Sequence, residues 1–221
     1  MFYLIFIWTN QGLNKLSKDF FNTNGYVVVE KAISSEISGF CFEYLNLKKR
    51  VVKQMFEDKT ISPYNKLFGI WTDRQVPNTY AHYADIAMEV LLKRCKPLLE
   101  KHTGLKLVEN YSFLRVYKKH DSLFRHTDRP ECEISCTMTL GGDVWPIFLK
   151  KKKSRKIKVS LKEGDLLVYK GAEIEHWRDP FLGDNCTQVF LHYSPATKKN
   201  IKDTKYDGRL FVGMPLQDGR E

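Results

Sequence analysis

Little in this sequence suggests a chain held together by anything other than its own core. Only five cysteines stand among 221 residues: Cys41, Cys95, Cys132, Cys136 and Cys186. Their number is odd and no pair has C-x-x-C spacing. That excludes a disulfide-stapled secreted scaffold and a four-thiolate zinc knuckle, and it points to a reducing, cytoplasmic compartment. The continuous apolar stretch Met1–Trp8 is too short to span a bilayer. It also lacks the basic n-region and small-residue cleavage site of a secretory signal. It reads as a buried strand or an anchor against the domain, with no role for a membrane. Internal repeats and low-complexity tracts are absent.

Apolar residues make up 43% of the chain and aromatics 13%, enough for a packed core, which excludes a disordered chain. The length suits a single domain spanning 1–221. Thirty-six Lys and Arg face 26 Asp and Glu, a net charge of +10. Much of the excess lies in one run, Lys150–Lys153 with Arg155, Lys156 and Lys158. A run of this kind is ordinarily a solvated hairpin, but it is also what a phosphate backbone would meet.

Patterning divides the chain. Asn24-Gly25 leads into Tyr26–Val29, a strand entered from a turn. Ser34-Ser35-Glu36 opens a helix whose apolar positions are Ile37, Phe40, Cys41, Tyr44 and Leu45. A second helix is predicted from Ala81 to about Lys101, with Ile86, Val90, Leu91, Leu98 and Leu99 on its apolar side. Pro97 is placed to kink it and Thr103-Gly104 to stop it. From about residue 107 the period becomes two. Strands are predicted over Tyr111–Tyr117, Glu133–Leu140, Pro146–Leu149, Ile157–Leu161, Leu166–Tyr169 and Gln188–Tyr193. Many short strands with turns between them indicate an antiparallel sandwich or jelly roll. The expected architecture is α+β: residues 1–106 form a helical support packed on one face of a double-stranded β-helix (107–195). A polar tail (196–221) follows, whose Leu210-Phe211-Val212 patch can dock back.

The chemistry-bearing residues lie in the β half. His126-Thr127-Asp128 is an H-x-D, and His176 follows fifty residues later, after Gly164-Asp165-Leu166-Leu167-Val168. In extended chain, residues i and i+2 face the same way, so His126 and Asp128 can meet one metal ion. A second His from a facing strand completes a two-His, one-carboxylate set, which leaves coordination positions open on a ferrous ion.

These motifs carry a resemblance. Tyr117 nine residues before the H-x-D, His126-x-Asp128, Gly164–Val168, His176, and then Pro180 and Gly183 before a further strand are similar to the Fe(II)- and 2-oxoglutarate-dependent dioxygenases of the prolyl 4-hydroxylase-like group. The likeness covers about 85 residues, from Tyr111 to Tyr193. It implies an oxidoreductase that uses Fe(II), 2-oxoglutarate and O2, with ascorbate as an accessory reductant. Such an enzyme hydroxylates an unactivated C–H bond, here a prolyl residue in a peptide or protein, and yields succinate and CO2. Oxidation of a nucleic-acid base, reached through Lys150–Lys158, stands as the alternative, and a non-catalytic binding module on the same fold as another.

One departure matters. Where the family carries Lys or Arg for the far carboxylate of 2-oxoglutarate, this chain has Cys186. Arg178, two residues after His176 and so of the same strand parity, is the expected replacement, since arginine grips a carboxylate with two parallel hydrogen bonds. Thr139, Gln188 and Tyr117 are expected to add hydrogen bonds, with Arg115 as a weaker alternative cation. Arg129 and Trp145 are candidate substrate contacts, Arg129 having a neighbouring acid as its other reading and Trp145 packing. Cys132 and Cys136 lack the second pair that zinc needs. His82, His102 and His120 read as solvated, and His192 as a packed polar group.

Overall fold

The computed structural model describes residues 10–199 and 201–215, so Met1–Trp8 lies outside the described residues. In chain order the elements are α1 (Asn10–Asn24), β1 (Tyr26–Val29), α2 (Ser35–Glu57), β2 (Tyr80–Tyr83) and α3 (Ile86–Thr103). Then come β3 (Leu107–Lys118), β4 (Leu123–His126), β5 (Ile134–Gly142), β6 (Ile147–Lys150), β7 (Ile157–Val159) and β8 (Leu166–Tyr169). The series closes with β9 (Glu175–Arg178), β10 (Asn185–Pro195) and a short α4 (Ile201–Thr204).

Two antiparallel sheets result. The major sheet has the order β1-β8-β5-β10-β3-β2 and the minor sheet β4-β9-β6-β7. This is the α+β jelly roll expected from the patterning. Along β10 the odd positions Val189, Leu191 and Tyr193 join the core beneath the helices, together with Leu114, Val116, Cys136, Met138, Leu166 and Val168. The even positions Cys186, Gln188, Phe190 and His192 face the other way. Helices α1–α3 therefore cover one face of the major sheet, and the minor sheet closes the other.

Local chemistry fixes the helix ends. Ser34 caps α2 by accepting from the Ile37 amide at 3.3 Å. Asp85 caps α3 by accepting from the Ala87 and Met88 amides at 3.0 and 3.2 Å, and Gly104, at φ +76°, ends it in the left-handed region. α3 continues through Pro97 without interruption.

Several expectations are corrected here. The second helix starts at Ile86, not Ala81: Tyr80–Tyr83 pairs with β3, and Ala84, at φ +55°, turns the chain into the Asp85 cap. Phe40, Ile86 and Val90 are exposed although their spacing suggested an apolar face. His82 is buried against Lys48 and Asp85, and His102 is half-buried against Ser17. The supposedly helical 1–106 region also supplies β1 and β2, the two edges of the major sheet. In the tail, Leu210 and Phe211 stay exposed while Arg209 docks, buried against Glu89 and the Asn110 carbonyl. A lone cation seats there because Glu89 is itself buried and needs a partner.

Candidate metal centre and the buried arginine beside it

The strand pairing itself assembles the ligand set. His126, the last residue of β4, is the cross-strand partner of His176 on β9, and their rings stand 4.2 Å apart. Asp128 follows in the loop, held by its amide's hydrogen bond to the Gly171 carbonyl at 2.9 Å. Ligand atoms of His126, Asp128 and His176 all lie within 4.8 Å of one another. Among the described residues this is the only such cluster of His, Cys, Asp and Glu.

Each ligand is oriented from behind. His126 Nδ1 lies 2.7 Å from the Phe124 carbonyl and His176 Nδ1 lies 3.0 Å from the Ile174 carbonyl. A carbonyl only accepts, so both Nδ1 atoms carry the proton and both Nε2 lone pairs face Asp128 Oδ1, at 3.6 and 3.4 Å. The other carboxylate oxygen accepts from the Ser135 hydroxyl at 2.5 Å, and His192 Nδ1 lies 3.1 Å from that hydroxyl. Gly171 makes the close approach possible: a Cβ there would stand 2.4 Å from Asp128 Oδ2 and from Ser135 Oγ. Two neutral imidazoles and one charged carboxylate converging on one point suit a divalent transition metal with open positions.

Arg178 sits two residues beyond His176, on the same inward parity. It is 2% exposed and packs over the Trp145 ring. Its guanidinium donates to the Trp145 carbonyl and lies 3.4 Å from both Thr137 Oγ1 and Gln188 Oε1. Its Nε has no hydrogen-bond partner, and no carboxylate of the described residues reaches it. Burial therefore lowers its pKa below the ordinary arginine value. Cys186, also buried, lies close enough to interact with it. Arg178 thus meets Cys186 of β10 from the opposite sheet.

The remaining candidates are placed as follows. Gln188 donates to Thr139 at 2.9 Å and accepts from Thr137 at 3.1 Å, so Gln188 borders Arg178 directly, Thr139 touches it only through Gln188, and the threonine beside the guanidinium is Thr137. Tyr117 is fully buried, edge-on to Trp145, with Arg115 Nη1 3.4 Å from its hydroxyl. Arg115 is already paired with Asp73 at 2.6 Å. Trp145 is buried between Tyr117 and Phe181, and its indole N–H donates to the Asp179 carbonyl, so it packs. Arg129 stacks on Tyr111 and pairs with Asp207 of the tail at 2.8 Å, which makes it a clamp on that segment. Cys132 and Cys136 are both buried, and Cys132 meets the Tyr111 hydroxyl. Sequence reasoning missed Ser135, Gly171, Asp73 and Gln75. Ser135 shares the parity of Thr137 and Thr139, a signal that was readable; the others act through long-range contacts that no local pattern carries.

No protein-family model matches the chain, and no curated protein does either. Solved structures do. The alpha ketoglutarate dependent epimerase SnoN from nogalamycin biosynthesis matches with a TM-score of 0.65 at 13% identity, over 96% of this chain and 98% of that one. A Trichoplax adhaerens prolyl hydroxylase, solved with a hypoxia inducible factor peptide fragment, matches at 0.57 and 14%, over 86% and 94%. HygX of Streptomyces hygroscopicus, with nickel, 2-oxoglutarate and hygromycin B bound, matches at 0.59 and 12%, over 86% and 88%. The chain has the fold of the 2OG-Fe(II) oxygenases. Within that oxygenase fold, His126, Asp128 and His176 stand at the strand ends where β4 meets β9, and Arg178 lies deeper between the sheets.

Proposed function

We propose that the protein is an Fe(II)- and 2-oxoglutarate-dependent oxygenase that hydroxylates a prolyl residue of a peptide or protein. One observation carries the cofactor assignment: an oriented two-His, one-carboxylate set has one member, His176, on the same strand as a buried arginine that has no acid of its own. A buried, uncompensated charge is costly, so the site is built for an anion that comes from outside the chain. A two-residue step along a strand is roughly 6–7 Å, about the distance between the chelating and far ends of 2-oxoglutarate.

His126, Asp128 and His176 would hold the metal, and Arg178, with Gln188 and Thr137, would hold the far carboxylate. Bound iron with 2-oxoglutarate and O2 supplies the oxidising chemistry, with succinate and CO2 as co-products. The chain's own part is to orient the ligands through Phe124, Ile174 and Ser135, and to exclude water with the apolar cluster of Val76, Tyr117, Trp145, Phe181 and Phe190. The peptide reading is supported by the Trichoplax enzyme, whose structure holds a peptide.

A second substrate reading has its own support. The exposed basic turn between β6 and β7 follows Lys150, the cross-strand partner of Glu175, so it projects from the end of the minor sheet where His176 stands. On that sheet's outer face Arg125, Trp177, Phe148 and Lys156 stack in sequence. A polyanion such as single-stranded nucleic acid fits these groups.

Anaerobic addition of Fe(II) and 2-oxoglutarate should give a visible metal-to-ligand charge-transfer band, and air should then release succinate. Asp128→Ala should abolish both with an unchanged circular dichroism spectrum. Full turnover in that variant would overturn the metal assignment. Proline-containing peptides should accelerate succinate release; acceleration by oligonucleotides alone would transfer the substrate assignment to the second reading.

A further inference from the structure

Gln75 lies in the loop between Ile70 and β2, far in sequence from every ligand, yet its side-chain nitrogen stands 2.9 Å from His126 Nε2. Its position is fixed from three directions. The Gln75 amide donates to Asp73 Oδ1 at 2.8 Å, and Val76 is buried in the inner apolar cluster. Arg115 donates Nε to Asp73 Oδ2 at 2.8 Å and Nη2 to Gln75 Oε1 at 2.6 Å. The loop closes on itself through the hydrogen bond from the Asn78 amide to the Trp71 carbonyl at 3.0 Å.

This network decides which way the amide faces. A guanidinium cannot accept a hydrogen bond, so the Gln75 oxygen faces Arg115 and its NH2 faces His126. His126 Nδ1 already donates to the Phe124 carbonyl, so Nε2 is the acceptor. The same lone pair is the one a metal ion would take. Once it is taken, the Gln75 NH2 loses its acceptor while Asp73, Val76 and Arg115 still hold it in place. Oxygen atoms of a ligand bound beside His126 can then take that acceptor's place.

We infer that Gln75 binds the co-substrate, donating a hydrogen bond to the metal-chelating carboxylate of 2-oxoglutarate, and that Arg115 and Asp73 are positioning residues acting through it. Arg115 and Arg178 then serve the two ends of one molecule, the first through an amide and the second directly. The inference rests on the cofactor reading given above.

Gln75→Leu keeps the bulk and removes the donor. Under anaerobic conditions its Fe(II) complex should bind 2-oxoglutarate about 10- to 100-fold more weakly, the range for a hydrogen bond to a charged group. The maximum of its charge-transfer band should move from the wild-type position. Mn(II) affinity measured without 2-oxoglutarate should be unchanged or up to about tenfold tighter, because the metal no longer competes with the amide for His126. Asp73→Asn, which loosens the clamp but keeps Gln75, should move the band in the same direction by less. Wild-type affinity and band position in Gln75→Leu would overturn the inference. So would a fall in Mn(II) affinity matching the fall for 2-oxoglutarate, since that would make Gln75 a support of the metal ligands. A wild-type protein that forms no band would instead remove the cofactor reading, and this inference with it.

Discussion

Strands β3, β5 and β10 turn Leu114, Val116, Met138, Val189 and Leu191 towards the helices, and Arg115, Tyr117, Thr137, Thr139 and Gln188 towards the minor sheet. Both sets are buried, but they are buried for different reasons. On the helix side each residue is stabilised simply by leaving water, and almost any apolar neighbour serves. On the inner side each polar group must find a partner of the right kind, and Arg178, facing them from β9, has no acid. Arg115 and Arg178 show the difference most sharply. For Arg115 burial opposes the charge, but Tyr117 and Asp73 outweigh it and the pKa is raised; for Arg178 burial prevails and the pKa is lowered. The first is a completed structural pair, the second an open valence.

That contrast predicts different costs in folding stability. Arg178→Ala should leave Mn(II) affinity nearly intact, because the three ligands are untouched, and should destabilise the apo protein less than the loss of Arg115 does. It should weaken 2-oxoglutarate by about 30-fold to a few thousand-fold, as losing one partner of a buried charge pair costs roughly 2–5 kcal/mol. Arg178→Lys should recover only part of this, since an ammonium lacks the planar fork. Arg115→Ala should, in addition to loosening Gln75, lower folding stability by about 3–5 kcal/mol, because it strands Asp73. Denaturation curves and anaerobic 2-oxoglutarate titrations of both variants would check the pair. An Arg178→Ala protein that binds 2-oxoglutarate like wild type, or that unfolds as readily as Arg115→Ala, would erase the distinction.

The two faces were also unequally legible. Period-two patterning found β1, β3, β5, β6, β7, β8 and β10, because on these strands apolar side chains alternate with polar ones or run continuously. It missed β2, where Tyr80-Ala81-His82-Tyr83 has no alternation and leads straight into a helix. Strands β4 and β9 carry too few apolar residues to register, and their pairing is what brings His126 to His176. The candidate ligands His126, Asp128 and His176 were readable from spacing and from the family likeness. Arg178 followed from its parity with His176 and the absence of a cation at Cys186. Gln75 and Asp73 could not be read, because their contacts depend on a loop folding over β3, about forty residues away in sequence. Ile86 and Val90 misled for the converse reason: helical spacing marks a face but does not say whether anything covers it.

A substitution on the helix side should be felt as stability alone. Leu191→Ala removes a fully buried side chain from the core beneath the helices. The expected cost is about 2–5 kcal/mol, set by how far the surrounding residues collapse into the cavity. Metal and 2-oxoglutarate affinities, measured well below the unfolding transition, should match wild type. A specific loss of 2-oxoglutarate binding at full folding would mean that the two faces are coupled through β10.

The smallest effect at neutral pH is expected at His192, which sits on the inner face with its ring 4.5 Å from that of Tyr111. Burial pushes its pKa down from 6.5 to about 4, against which the nearby Asp128 charge works only in part. The fold therefore holds the neutral form. As pH falls from about 6.5 towards 4 the unfolded chain takes up a proton that the folded chain refuses, so stability falls across that window; below about 4 both states are charged and the loss stops growing. At the acid end the loss amounts to about 3 kcal/mol, and at pH 7 it is close to nothing. His192→Gln keeps a donor for the Ser135 hydroxyl but cannot titrate. Urea denaturation at pH 7 and pH 4.5 should show the two proteins nearly equal at the higher pH and the variant losing less at the lower one. Carboxylates that titrate in both proteins cancel in that difference. Equal losses would mean that His192 accepts its proton within the fold. The inner face would then tolerate a second uncompensated cation besides Arg178, and Arg178 would no longer mark the site of an external anion.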